Sequence, residues 1–482
     1  MSDIKKAVMT NWRWVMCAML FFATTVNYMD RQVLSLTFKE FIQPEFHWTD
    51  SDYGTITGVF SIAYAIFCLF AGKFIDWMGT KKGYLIAIIV WSLGAVMHAG
   101  CGWVTEHIVG VADKAELLNA TGAIVSSISM VSVWLFLVCR LILGLGEAGN
   151  FPAAIKVTAE YFPKKDRAFA TALFNAGASV GALAAPATIP LLAKSLGWEM
   201  AFIIIGALGF IWAGIWIFVY DKPTESKHVN EAELAYIHQD EEAVSHQPSA
   251  VSEEKQMSFR EAFKHRQTWS FAFGKFMTDG VWWFFLFWAP AYFQDQFGIK
   301  ASDPQGIALI FTLYAIVTVV SLFGGYLPKI FVEKKGMEPY AGRMRAMLIF
   351  AFFPIVALAA QPLGGIWGPW AVAIIIGIVG AAHQSWSANI FSTTGDMFPK
   401  SAVATITGIG AMAGGVGSFL INKGSGMLFT HAEEMGSAFR FFGFEGKPAG
   451  YMIIFCICAV AYLIGWSVMK TLVPRYAPVV VK

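Results

Sequence analysis

The feature that most constrains this chain is a series of apolar stretches, each long enough to cross a lipid bilayer. A bilayer-spanning helix needs about 20 mostly apolar residues. Twelve stretches of this kind cover residues 12–37, 53–75, 83–103, 129–154, 168–193, 200–220, 268–293, 304–331, 344–361, 369–393, 402–429 and 449–471. They are continuous and do not alternate between apolar and polar residues, which excludes the strands of a membrane β-barrel. The sequence therefore predicts an all-α membrane protein with twelve transmembrane helices.

The composition also favours a membrane protein. Of the residues, 56% are apolar and 14% are charged, whereas soluble proteins carry about 25% charged residues. The net charge of +2 produces no strong basic field, so nucleic acid is not an expected partner. The six cysteines lack metal-ligand spacing and lie mostly within apolar stretches, so we expect neither a metal site nor disulfides.

Polar and basic residues predict how the chain is arranged across the membrane. Lysines and arginines are concentrated in alternate connections, for example at Arg167 and Lys334. Cytoplasmic loops carry such an excess, so we expect both termini in the cytoplasm. The one long polar segment, 221–264, predicts a cytoplasmic linker with one surface helix. It separates an N-terminal six-helix bundle, 1–220, from a C-terminal six-helix bundle, 265–482.

The two predicted bundles repeat each other weakly at matching places. A Tyr-Phe-Pro motif ending at Pro163 precedes the fifth apolar stretch, and a Met-Phe-Pro motif ending at Pro399 precedes the eleventh. Each motif leads into a helix with a G-x-x-x-G spacing, which allows helix backbones to approach closely. The glycines are Gly177, Gly181, Gly410 and Gly414. A six-helix unit repeated in parallel is the arrangement of the major facilitator fold, which we therefore expect here.

The loop after the second stretch resembles the signature loop of the major facilitator superfamily, Gly-x-x-x-Asp-(Arg/Lys)-x-Gly-x-(Arg/Lys)-(Arg/Lys). The matching residues are Gly72, Asp76, Gly79, Lys81 and Lys82. Trp77 occupies the position of the usual basic residue. The resemblance implies that this loop takes part in gating. Because Asp76 stands at a helix end, we expect its carboxylate to pair with the N-terminus of a neighbouring helix.

Four further segments resemble the anion:cation symporter family, and specifically its bacterial hexuronate transporters. They are 27–31 (NYMDR), 140–152 (RLILGLGEAGNFP), 274–284 (GKFMTDGVWWF) and 383–389 (HQSWSAN). Gly280 departs from the proline that is usual in the hexuronate branch. The resemblance implies a proton-coupled symporter that imports glucuronate or galacturonate by alternating access.

Ionisable residues within the predicted spans point to an anion site. Such side chains are costly at membrane depth unless they are paired or hydrated. Arg140 and Glu147 are two helical turns apart, about 10 Å, so each needs a partner on another helix, and Asp30 and Arg31 are available. The planar guanidinium of Arg140 suits a substrate carboxylate. We predict Glu147 as the proton carrier, and Asp30 as an outer-gate residue or second carrier. The alternative is a charge network that only joins helices.

Other charged and aromatic residues complete the predicted substrate site. Arg31 is expected to attract the anion or hold a gate. Lys275 either contacts substrate or is simply neutralised by Asp279, four residues further along the same helix. Trp282, Trp283 and Trp386 are predicted to stack on the apolar face of a sugar ring, with helix packing as the alternative. Tyr28 and Tyr64 are further candidates for substrate binding.

The tenth stretch adds polar side chains to this site. Gln384 and Asn389 each offer a donor and acceptors, which suits sugar hydroxyls. His383, Trp386 and Asn389 recur every three residues and so share one helix face. His383 is interpreted as a buried, hydrogen-bonded histidine, with proton transfer as the alternative.

These observations predict a multi-pass protein of the bacterial inner membrane that imports a hexuronate with protons. We expect it to act as a monomer in the lipid bilayer and to need no cofactor beyond the coupling proton. Alternatives are a symporter of another organic anion, such as an aldonate or aldarate, sodium coupling, or a membrane sensor of sugar acids. The linker 221–264 lacks any enzymatic or DNA-binding motif, which argues against a sensor. No nucleophile–base or metal constellation is present, so we do not expect an enzyme.

Overall fold

The computed structural model describes residues 9–239, 257–324 and 326–479, and these residues are almost entirely helical. The long helices are α1 Trp12–Thr37, α2 Asp50–Met78, α3 Thr80–Met97, α4 Ala123–Glu147, α5 Lys164–Leu196, α6 Trp198–Val219, α7 Arg266–Phe297, α8 Pro304–Gly324, α9 Pro339–Phe352, α10 Pro369–Met397, α11 Lys400–Met435 and α12 Lys447–Leu472. We refer to residues 9–239 as the first half and to the described residues from 257 onward as the second half.

Shorter elements connect or extend the long helices. The α-helical ones are Gln43–Phe46, Cys101–Val109, Lys114–Leu118, Asn150–Tyr161, Glu231–Ile237, Phe259–Ala262, Tyr326–Lys335 and Ala360–Trp367. A π-helical turn spans Phe38–Ile42, and 3-10 segments span His98–Gly100, Phe353–Ala359 and Gly436–Ala438. Two short strands, β1 Arg440–Phe441 and β2 Phe444–Glu445, pair antiparallel.

Ten helical stretches of the described chain are long and apolar enough to cross a membrane. These ten correspond to all the predicted spans except the first and the seventh. The helices α1 and α7 are also long, with 26 and 32 residues. They fall outside the ten because they are less apolar: α1 contains Asp30 and Arg31, and α7 contains Lys275 and Asp279.

The predicted spans are not all uninterrupted helices. Within the fourth predicted span, α4 ends at Glu147 and a new helix begins at Asn150 after a two-residue break. The ninth passes through the 3-10 segment Phe353–Ala359, which contains Pro354. Proline has no backbone N–H and its ring crowds the preceding helical turn, so an α-helix cannot continue through it undisturbed.

Close backbone contact between α1 and α5 depends on the two glycines of the first G-x-x-x-G spacing. A Cβ atom on Gly177 would lie 2.4 Å from the carbonyl oxygen of Phe21, and one on Gly181 would lie 2.4 Å from that of Thr25. Any larger side chain would push the helices apart. The predicted close approach is thus confirmed for this pair of helices.

The second spacing acts differently, between α11 and α7. A Cβ atom on Gly410 would lie 2.1 Å from the ring of Phe271, and one on Gly414 would lie 2.2 Å from Oδ2 of Asp279. Here the glycines accommodate side chains of α7. The predicted approach of two backbones is therefore not confirmed at these two glycines, and Gly414 instead leaves room for a carboxylate.

Helices of the two halves meet directly, and the largest such contact joins α2 with α11. A Cβ atom on Gly54 of α2 would lie 2.6 Å from the carbonyl oxygen of Asn422, and one on Gly426 of α11 would lie 2.3 Å from that of Asp50. α5 also contacts α8. Gly54 and Gly426 therefore allow α2 and α11 to approach closely where the halves meet.

The described part of the polar segment 221–264 docks on the start of α1. The buried Glu233, in the helix Glu231–Ile237, accepts hydrogen bonds from the backbone N–H groups of Trp12 (2.9 Å) and Arg13 (3.1 Å). Its carboxylate also pairs with the Arg13 guanidinium at 3.0 Å. The carboxylate thus caps a helix N-terminus, where N–H groups lack helical partners. A helix within the segment was predicted, but its buried glutamate was not; residues 240–256 lie outside the described residues.

Candidate functional site

A buried ion pair joins α1 to α4. Nε of Arg31 lies 2.8 Å from Oε2 of Glu147, and the two side chains are 5% and 0% exposed. Arg140, two turns before Glu147 on α4, forms no ion pair with it in the described chain. The prediction that Glu147 pairs with another helix is therefore confirmed. Because removing one partner of a buried pair leaves an uncompensated charge, this contact holds α1 and α4 together.

Three aromatic rings surround the Arg31 guanidinium. Its carbon Cζ lies 4.4 Å from the ring centroid of Tyr64, 5.4 Å from that of Tyr28 and 5.5 Å from that of Trp283. Cation–π attraction adds to the ion pair in this environment. Trp283 belongs to α7 in the second half, so the site lies where the halves meet. Four of the predicted substrate-binding residues are thus brought together.

Arg140 and Asp30 are buried near this pair without hydrogen-bond partners of their own. They are 2% and 1% exposed. Neither terminal nitrogen of Arg140, nor either carboxylate oxygen of Asp30, has a hydrogen-bond partner among the described residues. The Arg140 guanidinium lies 5.4 Å from the ring of Phe60, and Glu147 and Asp30 are among its charged neighbours. Unsatisfied buried groups are costly. The expected pairing of Arg140 with a residue of another helix is not formed among the described residues, and its two terminal nitrogens remain free donors.

A second buried ion pair lies within α7. Nζ of Lys275 is 2.8 Å from Oδ2 of Asp279, and the side chains are 6% and 14% exposed. The lysine also lies 4.3 Å from the ring centroid of Phe391 on α10. The spacing of four residues predicted this contact. Unlike the pair of the first half, it joins residues of one helix, so it does not hold two helices together.

Polar and aromatic residues of α10 form a buried network with α7 and α12. Nδ1 of His383 lies 2.7 Å from the hydroxyl oxygen of Tyr462, and the imidazole stacks on Trp282 with ring centroids 5.5 Å apart. Trp386 packs edge-on against Tyr462 and is 0% exposed. His383 is thus buried and hydrogen-bonded, as the sequence predicted. Trp386 has no surface available to a ligand in this conformation.

The remaining polar candidates of α10 are Asn389 and Gln384. The side-chain amide of Asn389 donates to the carbonyl oxygen of Ser385 at 2.8 Å. Asn389 also lines a cavity of about 360 Å³ with Lys329 and Arg343. No charged residue of the first half lines this cavity. Gln384, closer to His383, is half-buried.

The predicted signature loop joins α2 to α3. Its candidate residues are Gly72, Asp76, Gly79, Lys81 and Lys82. Asp76 pairs with the ammonium group of Lys156 at 2.7 Å, a side chain of the helix Asn150–Tyr161 rather than a helix N-terminus. Lys81 pairs with Asp221 at 2.8 Å. Gly79 has a φ of +78°, which favours glycine at the turn.

A cluster of charges that no sequence motif predicts lies at the end of the bundle away from Trp12 and Leu472. We call Lys39, Asp50, Asp295 and Lys447 the ion-pair latch. Lys39 lies 3.1 Å from Asp50 and 2.9 Å from Asp295. Lys447 lies 2.7 Å from Asp50 and 3.6 Å from Asp295. These side chains are at most 11% exposed. Each lysine therefore bridges a carboxylate of each half.

Further contacts close the same end of the bundle. The hydroxyl of Tyr53 donates to the carbonyl oxygen of Phe287 at 2.7 Å. The backbone N–H of Ser51 donates to the hydroxyl oxygen of Thr430 at 2.9 Å. Each bond joins one half to the other, so this end is held shut by several polar contacts. No sequence motif indicates that these residues are partners, because they belong to connections and helices that are far apart in the chain.

Comparisons with known proteins agree with this architecture. A family profile described as the Major Facilitator Superfamily matches residues 20–421. A hexuronate transporter of Escherichia coli K12 is 28% identical over 464 residues, covering 95% of this chain and 94% of that protein. A galacturonate transporter of Dickeya chrysanthemi is 29% identical over 319 residues, covering 66% of this chain and 82% of that protein.

A solved structure shares the fold. It is a bacterial homolog of the human lysosomal transporter Spinster in an inward-facing and unoccupied conformation, with a TM-score of 0.69. It covers 97% of this chain and 99% of that one at 17% sequence identity. This similarity concerns the arrangement of the helices alone.

The ion-pair latch makes a testable prediction. Replacing Lys447 by Gln removes one of the two cations that bridge Asp50 and Asp295. Lys39 alone then offsets the repulsion between the two carboxylates, so closure of this end should weaken. We expect a disulfide between Ser51→Cys and Thr430→Cys, in a background without the native cysteines, to form several-fold less efficiently in Lys447→Gln. Arg440→Gln, which breaks an exposed pair with Glu445, is the matched control. Equal cross-linking in both variants would contradict the role of the latch.

Proposed function

Because the chain belongs to the Major Facilitator Superfamily, we propose that it is a proton-coupled symporter that imports a hexuronate by alternating access. The protein is a multi-pass integral membrane transporter and not an enzyme. The names of the hexuronate and galacturonate transporters that it resembles support this substrate class. The bacterial inner membrane is the compartment of this import, and the protein acts as a monomer.

The proposal includes the complete topology. Twelve helices cross the membrane and both termini face the cytoplasm, with α1 and α7 as the spans that fall outside the apolar ten. The buried charges of α1 and α7 face other parts of the protein rather than lipid, which makes such spans tolerable. The bundles are 1–220 and 265–482, with 221–264 as the cytoplasmic linker. The signature loop, from Gly72 to Lys82, takes part in gating at the cytoplasmic end.

The observation that carries the proposal is the unsatisfied guanidinium of Arg140. Its two terminal nitrogens are buried beside the meeting surface of the halves without a hydrogen-bond partner among the described residues. A carboxylate satisfies both donors in one planar, bidentate contact. A hexuronate carries one carboxylate on a sugar ring, so it supplies the charge as well as an apolar face for aromatic contact.

Aromatic side chains around Arg31 are the proposed ring contacts. Trp283, Tyr28 and Tyr64 are half-buried and lie against its guanidinium. Trp282 lies one position before Trp283 and is also half-buried. Trp386 and Arg140 are 0% and 2% exposed in this conformation, so the proposed contact of either residue with a ligand requires the surrounding helices to move.

Residues of the second half supply the remaining polar contacts in this proposal. Lys275 is a second cation for the anionic substrate, while Gln384 and Asn389 bind its hydroxyl groups. His383 holds Trp282 and Tyr462 in place. Because Lys275 and Asn389 belong to a different half from Arg140, substrate contacts with both halves can link binding to their relative movement.

Coupling to protons is proposed to run through Glu147. Its carboxylate is bound to Arg31 in this structure. A substrate carboxylate that competes for the nearby guanidinium groups weakens this pairing and favours the protonated acid, so anion binding and proton uptake are linked. Asp30, buried close by, controls the outer gate or carries a further proton.

Uptake into proteoliposomes tests the function as a whole. We expect the purified protein to accumulate labelled glucuronate when the outer pH is lower, and unlabelled galacturonate to compete. Aldonates and aldarates serve as rival competitors, and an imposed sodium gradient tests the rival coupling ion. Accumulation that follows sodium alone, or that only an aldarate inhibits, would contradict the proposal.

Arg140 is predicted to bind the substrate carboxylate. Arg140→Lys keeps the charge but loses the planar pair of donors, so we expect glucuronate affinity to fall by about 10- to 100-fold, corresponding to roughly 1.5–3 kcal/mol for hydrogen bonds to a charged group. Calorimetric titration in detergent measures this change. The exposed Arg345→Lys is the matched control. Unchanged affinity in Arg140→Lys would remove Arg140 from the site.

Glu147 is predicted to carry a coupling proton. Glu147→Gln imitates the protonated acid permanently, so we expect substrate exchange to continue while accumulation driven by one pH unit falls about tenfold, the factor that one coupled proton supplies. Both rates are measured in the same proteoliposomes. The exposed Glu434→Gln is the control. Undiminished accumulation in Glu147→Gln would shift the role to another acid.

A further inference from the structure

We propose that Asp279 is a second coupling carboxylate, located in the second half and linked to the substrate through Lys275. The inference rests on the proposed symport of a sugar acid. It adds to that function a specific acid and a count of two protons for each substrate.

The position of Asp279 places it next to the site of the first half. It stands four residues, about 6 Å along the helix axis, before Trp283, whose ring contacts Arg31. Lys275, Asp279, Trp282 and Trp283 are spaced so that they share one face of α7. The carboxylate is 14% exposed and Trp283 is half-buried, so this face is not sealed by packing. Asp279 is therefore within reach of changes at the substrate site.

Lys275 is the one ion-pair partner of Asp279 among the described residues. On α11 it faces Gly414, whose missing side chain creates the space for the carboxylate. On α10 and α12 the nearest titratable groups are His383 and Tyr462, which are hydrogen-bonded to each other. The charge of Asp279 therefore depends on where the ammonium group of Lys275 is directed.

A balanced proton cycle follows from this arrangement. Without substrate, the negative Asp279 and positive Lys275 form a neutral pair. The single carboxylate of a substrate bound at Arg140 also attracts the Lys275 ammonium, which leaves the Asp279 carboxylate without its partner in a desolvated place. The Asp279 carboxylate then takes up a proton from the outer side. When substrate leaves on the inner side, the proton leaves too and the ion pair re-forms.

In this proposal, each half contains one acid that is paired with a cation, and substrate can attract that cation away. In the first half the pair is Arg31 with Glu147, and in the second it is Lys275 with Asp279. Asp30 differs from both acids because it forms no ion pair with a described residue, although Arg140 is among its charged neighbours. In this inference Asp30 acts at the outer gate and carries no coupled proton. Two acids whose cations face the same substrate give two coupled protons.

The rival explanation is that Asp279 only neutralises Lys275. That role predicts a loss of stability on replacement, and no change in the number of protons carried with each substrate. The two explanations differ in a thermodynamic quantity that does not depend on how much folded protein is present: the accumulation ratio at which net flux stops.

The experiment measures this ratio for glucuronate in proteoliposomes with one pH unit across the membrane and the membrane potential held at zero. Two coupled protons support about 100-fold accumulation and one supports about tenfold. We expect the higher value for the unmodified protein and the lower one for Asp279→Asn, with exchange of substrate retained. The exposed Glu434→Gln should keep the higher value. A tenfold limit in the unmodified protein, or an unchanged limit in Asp279→Asn, would overturn the inference.

A second variant keeps every charge, in case Asp279→Asn does not fold. A Cβ atom on Gly414 would lie 2.2 Å from Oδ2 of Asp279, so Gly414→Ala must displace the carboxylate. A carboxylate moved away from its ammonium partner takes up a proton more readily, so the pH profile of uptake should shift to higher pH. Gly424→Ala, at an open position of the same helix, should leave the profile unchanged. Identical profiles for both variants would refute the inference.

These outcomes separate the two proposals. If the unmodified protein accumulates no sugar acid under a pH gradient, the proposed function fails and this inference fails with it. If accumulation follows the pH gradient but the ratio is insensitive to Asp279, only the assignment of Asp279 fails.

Discussion

The cost of burying charge in a membrane protein governs the arrangement of this chain. Arg31 and Glu147 are almost fully buried and satisfy each other at 2.8 Å, which joins α1 to α4. The rings of Tyr64 and Trp283 complete the surroundings of the arginine and bring α2 and α7 to the same place. Because an unpaired charge would be expensive in this environment, four helices share one electrostatic centre. Beside that centre, the two terminal nitrogens of the Arg140 guanidinium have no hydrogen-bond partner among the described residues, which is the basis of the proposed anion site.

The two halves can move apart at the ion-pair latch without leaving isolated charges. In the latch, Lys39 touches Asp50 of its own half as well as Asp295 of the other, and Lys447 does the reverse. If the halves move apart, each lysine keeps one carboxylate from its own half. In the α2–α11 contact, Gly54 and Gly426 let the two backbones approach closely, and the hydrogen bond from Ser51 to Thr430 crosses between the halves. Strong closure and ready release are therefore compatible, which suits alternating access.

Local features of the sequence were sufficient to predict much of the fold and part of the site. Apolar length and helical spacing are properties of neighbouring residues, so ten of the twelve predicted spans meet the requirements of a membrane helix. The spacing of residues along one helix also predicted that Lys275 would pair with Asp279. It predicted as well that Glu147 would pair with a residue of another helix and not with Arg140. It did not predict where each helix breaks, since the break before Asn150 lies within a continuous apolar stretch.

By itself, the sequence determined the helical membrane class, the close helix contact at the first glycine spacing, and which charges must find distant partners, because burial of charge and backbone approach follow from residue type. Only the tertiary structure determines which residues are the partners of those charges. It joined Lys39 to Asp295, residues from opposite halves, and it buried Trp386 behind Tyr462 where a ring contact had been expected. Such pairings depend on how helices far apart in the chain pack together, and no local pattern in the sequence contains that information.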